Sequence, residues 1–90
     1  MKADEKALGK HLKALANRRR LGIVRALKTG KRQSVGDLAK VIRLSFKATS
    51  KHLNILYIAD IVEREQEQLT VFYKIRVPFS KPLASVVESL

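Results

Sequence analysis

Four side chains in the stretch LSFKATSKHLNILYIADIV, residues 44–62, are of a type and spacing that could do chemistry: Lys47, Ser50, Lys51 and Asn54. They recur at i, i+3, i+4 and i+7, so they share one face if the stretch is helical. Lysine ammonium groups meet phosphates or guanine edges, serine reaches either, and asparagine pairs with adenine. Phe46 and Ala48, at the start of the same stretch, offer apolar contact to a thymine methyl. His52 can donate to a phosphate or serve as a partly buried structural histidine, and the spacing alone does not choose. Thr49, Leu53 and Leu56 occupy the opposite stripe. One buried stripe and one cationic, amide-bearing stripe suit the DNA major groove. They also describe an ordinary amphipathic helix with a solvated polar face, so the surrounding elements have to decide.

Those elements can be read from caps and periodicity. Ser45 suits an N-cap for the helix at 46–57, with Leu44 as its apolar staple. Ser34 caps a third helix, Val35–Ile42, whose Val35, Leu38, Val41 and Ile42 face inward, and Arg43-Leu44 turns the chain between the two. Two short helices joined by a tight turn, the second with a polar outer face, predict a helix-turn-helix over about 34–57. Gln33 and Ser34 open the third helix, where free backbone N–H groups suit a phosphate, and Lys31 and Arg32 add charge beside them.

After Asp60 the pattern changes to period two. Residues 61–65 and 69–76 read as strands, with Gln66-Glu67-Gln68 as the tip between them. Arg64, Gln66 and Gln68 are the groups of this hairpin, about 61–76, that could touch a nucleic-acid backbone. Lacking glycine, its loop is expected to exceed two residues.

Upstream, residues 3–16 carry Ala7, Leu8, His11, Leu12 and Leu15 at helical spacing, with Asp4 and Glu5 near the positive end. The stripe can pack internally or against another subunit. His11 has no second ligand three or four residues away, so it reads as a packed histidine. Asn17 caps a second helix over about 18–28, and Gly30 stops it. Arg18-Arg19-Arg20 open that helix where its dipole disfavours cations, which calls for an anionic partner, carboxylate or phosphate. Pro78 and Pro82 bracket a break before a last short helix, 82–90, striped by Leu83, Val86, Val87 and Leu90. The expected class is mainly α with a small β-hairpin (α+β): a winged helix-turn-helix in the order ααααββα, one domain over 1–90.

Charge narrows the function. The net charge is +11 in 90 residues, and residues 1–45 alone carry thirteen Lys and Arg against three Asp and Glu. Such a balance in a small domain points to a polyanion, most often nucleic acid. There is no cysteine, which excludes disulfides and thiolate sites and fits an intracellular, cytoplasmic protein. No apolar run is long enough for a membrane span, and no secretory leader is recognisable. No nucleophile–base pair, metal-ligand cluster or phosphate-cradling glycine loop suggests an enzyme.

Four strings, taken in order, resemble the ArsR-type winged-helix repressors. LKALANRRRLGIVRAL is similar to the family's "LaDptRlriL" opening, with Arg20-Leu21 matching and Asn17 and Arg18 standing for Asp and Pro. SVGDLAKVIRLSFKATSKHLNIL resembles its helix-turn-helix through Asp37-Leu38-Ala39, Leu44-Ser45, Ser50, His52-Leu53 and Leu56. ADIV resembles its "aGlV" and TVFYKI its "wvyYrL". The resemblance covers Leu12 to Val77. It implies a homodimeric, sequence-specific repressor of double-stranded DNA, dimerised by its end helices through Leu8, Leu12, Leu15, Leu83, Val86, Val87 and Leu90.

The departures are chemical. Ser34 and Gly36 stand where metal-sensing members carry a Cys-x-Cys pair, and the last helix has Glu88 but no histidine. No metal and no cofactor is therefore expected, unless His11 or His52 is recruited from both subunits. Control would fall to an unknown effector, a partner protein or the repressor's own level. Arg43 and Asp60 replace glycines, so the turn at Arg43 is expected to differ in shape. Glu63, Glu65 and Glu67 replace the usual basic wing, and this should weaken its hold on DNA. Two alternatives remain at this level: a winged-helix protein-interaction module, and a non-specific nucleic-acid binder held by charge alone.

Overall fold

In the computed structural model, which describes residues 5–76 and 81–90, three polar caps start three helices. Asn17 Oδ1 accepts from the N–H groups of Arg19 and Arg20 (2.9 and 3.1 Å) and opens α2, Arg18–Leu27. Ser34 Oγ accepts from Asp37 N (3.1 Å) and opens α3, Val35–Ile42. Ser45 Oγ accepts from Ala48 N (3.1 Å) and opens α4, Phe46–Ile58. Each cap satisfies first-turn donors that have no partner inside their own helix. Helix α1 spans Glu5–Leu15 and α5 spans Lys81–Glu88. The expected placement of Asp4 and the break at Pro78 lie outside the described residues.

Three antiparallel strands complete the fold: β1, Gln33–Ser34, β2, Val62–Glu67, and β3, Thr70–Ile75, in the spatial order β1-β3-β2. The sequence predicted only β2 and β3. A two-residue strand carries no period of its own; β1 exists because Gln33 and Ser34 pair with Tyr73 and Phe72. The order is thus ααβααββα. The hairpin also corrects the expected long loop. Glu67 pairs with Thr70, leaving Gln68 and Leu69 as a two-residue turn, and Gln68 takes φ 57° where glycine would be the easy choice.

The core is aliphatic, as a chain with no Trp requires. Ile23, Val24 and Leu27 of α2 meet Leu38 of α3, Leu53 and Leu56 of α4, and Ile61 and Val62 at the entry to the sheet, all fully buried. Each such side chain contributes about 1.5–3 kcal/mol on leaving water. Both end helices join this core: Ala14 and Leu15 from α1, Leu83 and Val87 from α5. Leu15, Leu83 and Val87, expected at a dimer contact, are therefore enclosed within the protomer. Leu12 is 46% exposed, and Leu8, Val86 and Leu90 are half-buried. Val41, expected to face inward, is 58% exposed, because α3 turns only Val35, Leu38 and Ala39 fully into the core.

The turn between α3 and α4 keeps the left-handed shape that glycine would give. Arg43 sits at φ 55°, ψ 52°, and its N–H and that of Leu44 close the last turn of α3. Asp60 does the same after α4, at φ 61°. The identity of residue 43 therefore does not change the shape of the turn; it adds strain on the order of 1 kcal/mol. Arg43→Gly is expected to raise the thermal midpoint by roughly 4–8 °C, the shift worth about 1 kcal/mol in a domain of this size. A calorimetric scan showing no rise, or a fall, would count against this account of the turn.

Candidate nucleic-acid interface

Helix α4 is fixed from behind. Thr49, Leu53 and Leu56 are fully buried, and the Thr49 hydroxyl has no hydrogen-bond partner. With that face committed, Lys47, Lys51 and Asn54 project outward as exposed side chains and Ser50 lies half-buried beside them. None of the four makes a side-chain hydrogen bond or ion pair with the described residues, so their donors are free for a partner. Phe46 is 63% exposed at the start of the helix, and Ala48 is half-buried. A hollow of about 400 Å³ separates Phe46 and Ser50 from the start of α3 and from Leu69 and Thr70 at the hairpin tip.

The groups expected to grip phosphate from α3 and the hairpin are placed differently from one another. Gln33 turns inward, its Nε2 donating to the Ala26 carbonyl at 2.8 Å, and Ser34 is occupied as a cap. Both hold the start of α3 in position rather than reach out from it. Lys31 beside them is exposed. Arg64 lies on the strand face that carries Tyr73 and Val62, and its guanidinium stacks 3.9 Å above the ring of Tyr57 on α4. It pins the hairpin to α4. Gln66 donates to the Gln68 carbonyl (3.1 Å), and both stay exposed at the tip.

The acidic hairpin is balanced by its own cations. Arg32 forks to Glu65 (2.9 Å) and Glu67 (2.6 Å) while lying 4.1 Å from the centre of the Phe72 ring. Lys74 meets Glu63 at 3.3 Å. All three carboxylates that the sequence marks as repelling DNA thus have partners, although exposed pairs of this kind each contribute about 1 kcal/mol or less. Sequence reading placed Arg32 with the phosphate-binding group and missed this role. The signal was there in its distance of a few residues from a strand that ends opposite the hairpin, but β1 was needed to see it. It also passed over Ile55 and Ile58, which leave the buried stripe and stand 42% and 65% exposed on the C-terminal half of α4.

Among the described residues no three His, Asp or Glu side chains gather as a metal site, and no helix is long and apolar enough to cross a membrane. His11 sits half-buried on α1.

Residues 17–64 match the model of a bacterial regulatory protein family, arsR. Among solved structures, the chain is similar to HlyU from Vibrio cholerae N16961, with 34% identity over 99% of this chain and 92% of that one and a TM-score of 0.83. It is similar to the transcriptional repressor BigR from Xylella fastidiosa, with 27% identity over 94% and 83% of the two chains and a TM-score of 0.77. A homodimeric winged helix-turn-helix DNA-binding domain from Mycobacterium bovis shares the fold, with 24% identity, 99% and 83% coverage and a TM-score of 0.76. No curated protein matches the sequence.

His52 lies half-buried on α4 beside Arg20. Its Nδ1 lies 3.3 Å from Arg20 Nη1, and Arg20 also donates from Nε to the Ala14 carbonyl. None of Arg18, Arg19 and Arg20 has a carboxylate partner among the described residues; Arg20 uses a carbonyl and an imidazole instead. An arginine can only donate, so Nδ1 accepts and the ring proton stands on Nε2, still able to donate elsewhere. Burial, then the charges of Arg20 and Arg19, hold the His52 pKa below the ordinary imidazole value. The folded state therefore binds this proton less readily than the unfolded one, whose pKa is about 6.5. Stability from this contact is full above that pH and is lost as pH falls below it toward the folded value. Urea midpoints at about pH 7.5 and 5.0 should fall more for the wild type than for His52→Gln. Identical falls would show that His52 is not the titrating group.

Proposed function

The chain belongs to the ArsR family of bacterial regulatory proteins, and on that premise we propose that it is a homodimeric, cytoplasmic repressor that reads a near-palindromic DNA operator with α4. The observation that carries this reading is the unpaired, outward face of Lys47, Ser50, Lys51 and Asn54 on a helix whose reverse is locked in the core. A helix of this girth enters the major groove, where Asn54 and the lysines meet base edges and phosphates. Phe46 adds apolar contact at the entry. His52 donates from Nε2 to a phosphate while its other nitrogen stays on Arg20.

The apolar residues left half-covered or exposed on the end helices, Leu8 and Leu12 with Val86 and Leu90, form the dimer contact. Leu15, Leu83 and Val87 hold those helices in place from within. A twofold axis there sets two copies of α4 in successive major grooves, about 34–36 Å apart. The hairpin, with its carboxylates paired to Arg32 and Lys74, lies along the backbone through Gln66 and Gln68 without a strong attraction.

A duplex obtained by selection from random sequence supplies the test, read by fluorescence anisotropy across a salt series. Lys47→Ala with Lys51→Ala should abolish operator binding, with circular dichroism and dimer mass unchanged. Residual binding by the double variant should have a salt slope shallower by about 2, one for each lost phosphate contact. Wild-type binding by the double variant would overturn the assignment. Loss of sequence preference in the selection itself would leave a charge-driven binder, and no duplex affinity even at low salt would leave a protein-interaction module.

A further inference from the structure

We infer that a cleft between α2 and the α3–α4 turn, lined by no residue of α4, binds a small phosphorylated ligand of the nucleoside di- or triphosphate class. The cleft holds about 440 Å³, within the range of small-molecule sites. Arg18, Arg19 and Arg25 line one wall from α2, and Arg43 stands on the other. None of the four has an ion pair among the described residues. Arg25 donates from Nε to the Leu90 carbonyl at 3.2 Å and keeps its two terminal nitrogens free. Four guanidinium groups around one hollow repel one another unless a polyanion offsets them, and arginine is the side chain that grips phosphate oxygens two at a time.

Two further observations point to the same place. Arg43 holds a left-handed backbone that glycine would adopt without strain, and strained residues concentrate where a side chain is needed for binding. The floor of the cleft is apolar: Gly22 and Ala26 on α2 face Val41 and Ile42 on α3. A Cβ at Gly22 would meet Ile42 Cγ2 at 3.4 Å, an ordinary van der Waals contact, so α2 and α3 pack side by side beneath the hollow. Val41 is 58% exposed, so most of its side chain is left uncovered by the protein. A sugar–phosphate rail of duplex DNA is convex and has nothing to place on such a floor. A nucleotide does: its base rests on Val41 and Ile42 and its phosphates meet the arginines. No residue of α4 lines the cleft, so the site stands independently of the reading of α4.

Calorimetric titration of the full chain with ADP and with inorganic pyrophosphate, near 0.15 M salt to screen loose charge attraction, tests the site. The expected result is one saturable site per chain, tighter for ADP than for pyrophosphate. Arg18→Gln with Arg43→Gln should weaken ADP binding roughly tenfold or more, as loss of two charge-assisted contacts implies. Lys47→Gln with Lys51→Gln should leave it unchanged. No saturable binding of either probe, equal affinity for both, or a loss that follows the α4 lysines instead of the arginines would each overturn the assignment. Unchanged urea midpoints for the arginine variant, all at exposed positions, keep unfolding out of the comparison.

Discussion

Everything on the outside of this protein depends on a dry seam behind α4. Thr49, Leu53 and Leu56 are sealed against α2, α3 and the start of β2, and a one-residue rotation of the helix would bring either Ser50 and Asn54 or His52 into that seam. Burying such a polar side chain without a hydrogen-bond partner costs about 1–3 kcal/mol, and the leucines turned out of the seam lose their burial as well. The aliphatic side chains thus determine which way the polar ones point. The outward face of α4 is set by what it is not allowed to touch.

The same logic explains which parts of the fold could be read in advance. Helices α2, α3 and α4 each begin at a side-chain cap and carry an apolar period, so both their starts and their faces were legible from residues such as Asn17, Ser34 and Ser45. Strand β1 was not, because its reason lies forty residues away: Gln33 is extended because Tyr73 is opposite. The hairpin turn failed for a related reason. Its length was judged from local preference, but the register from Val62↔Ile75 to Glu67↔Thr70 fixes it and makes Gln68 accept a positive φ. Long-range pairing overrode local cost at both points.

Side-chain roles divide along the same line. The outward face of α4 followed from spacing alone. The commitments of Gln33 to Ala26, Arg64 to Tyr57 and Arg32 to the hairpin carboxylates did not, since each joins elements far apart in sequence. The end-helix stripes illustrate a subtler limit. Period 3.6 shows that Leu8, Leu12 and Leu15 share a side, but it cannot say that the protomer itself takes Leu15 and leaves Leu12 for another surface.

The fork of Arg32 has a mechanical side. It ties the far end of the hairpin to the residue just before β1, while Gln33 next to it is fastened to the carbonyl of Ala26 near the end of α2. The hairpin is therefore anchored at two points along its length, by Arg64 over Tyr57 near the middle and by Arg32 close to the tip. A load applied at the turn is not absorbed by bending of a free arm. Part of it passes through Arg32 and Gln33 to the end of α2 and the first turn of α3.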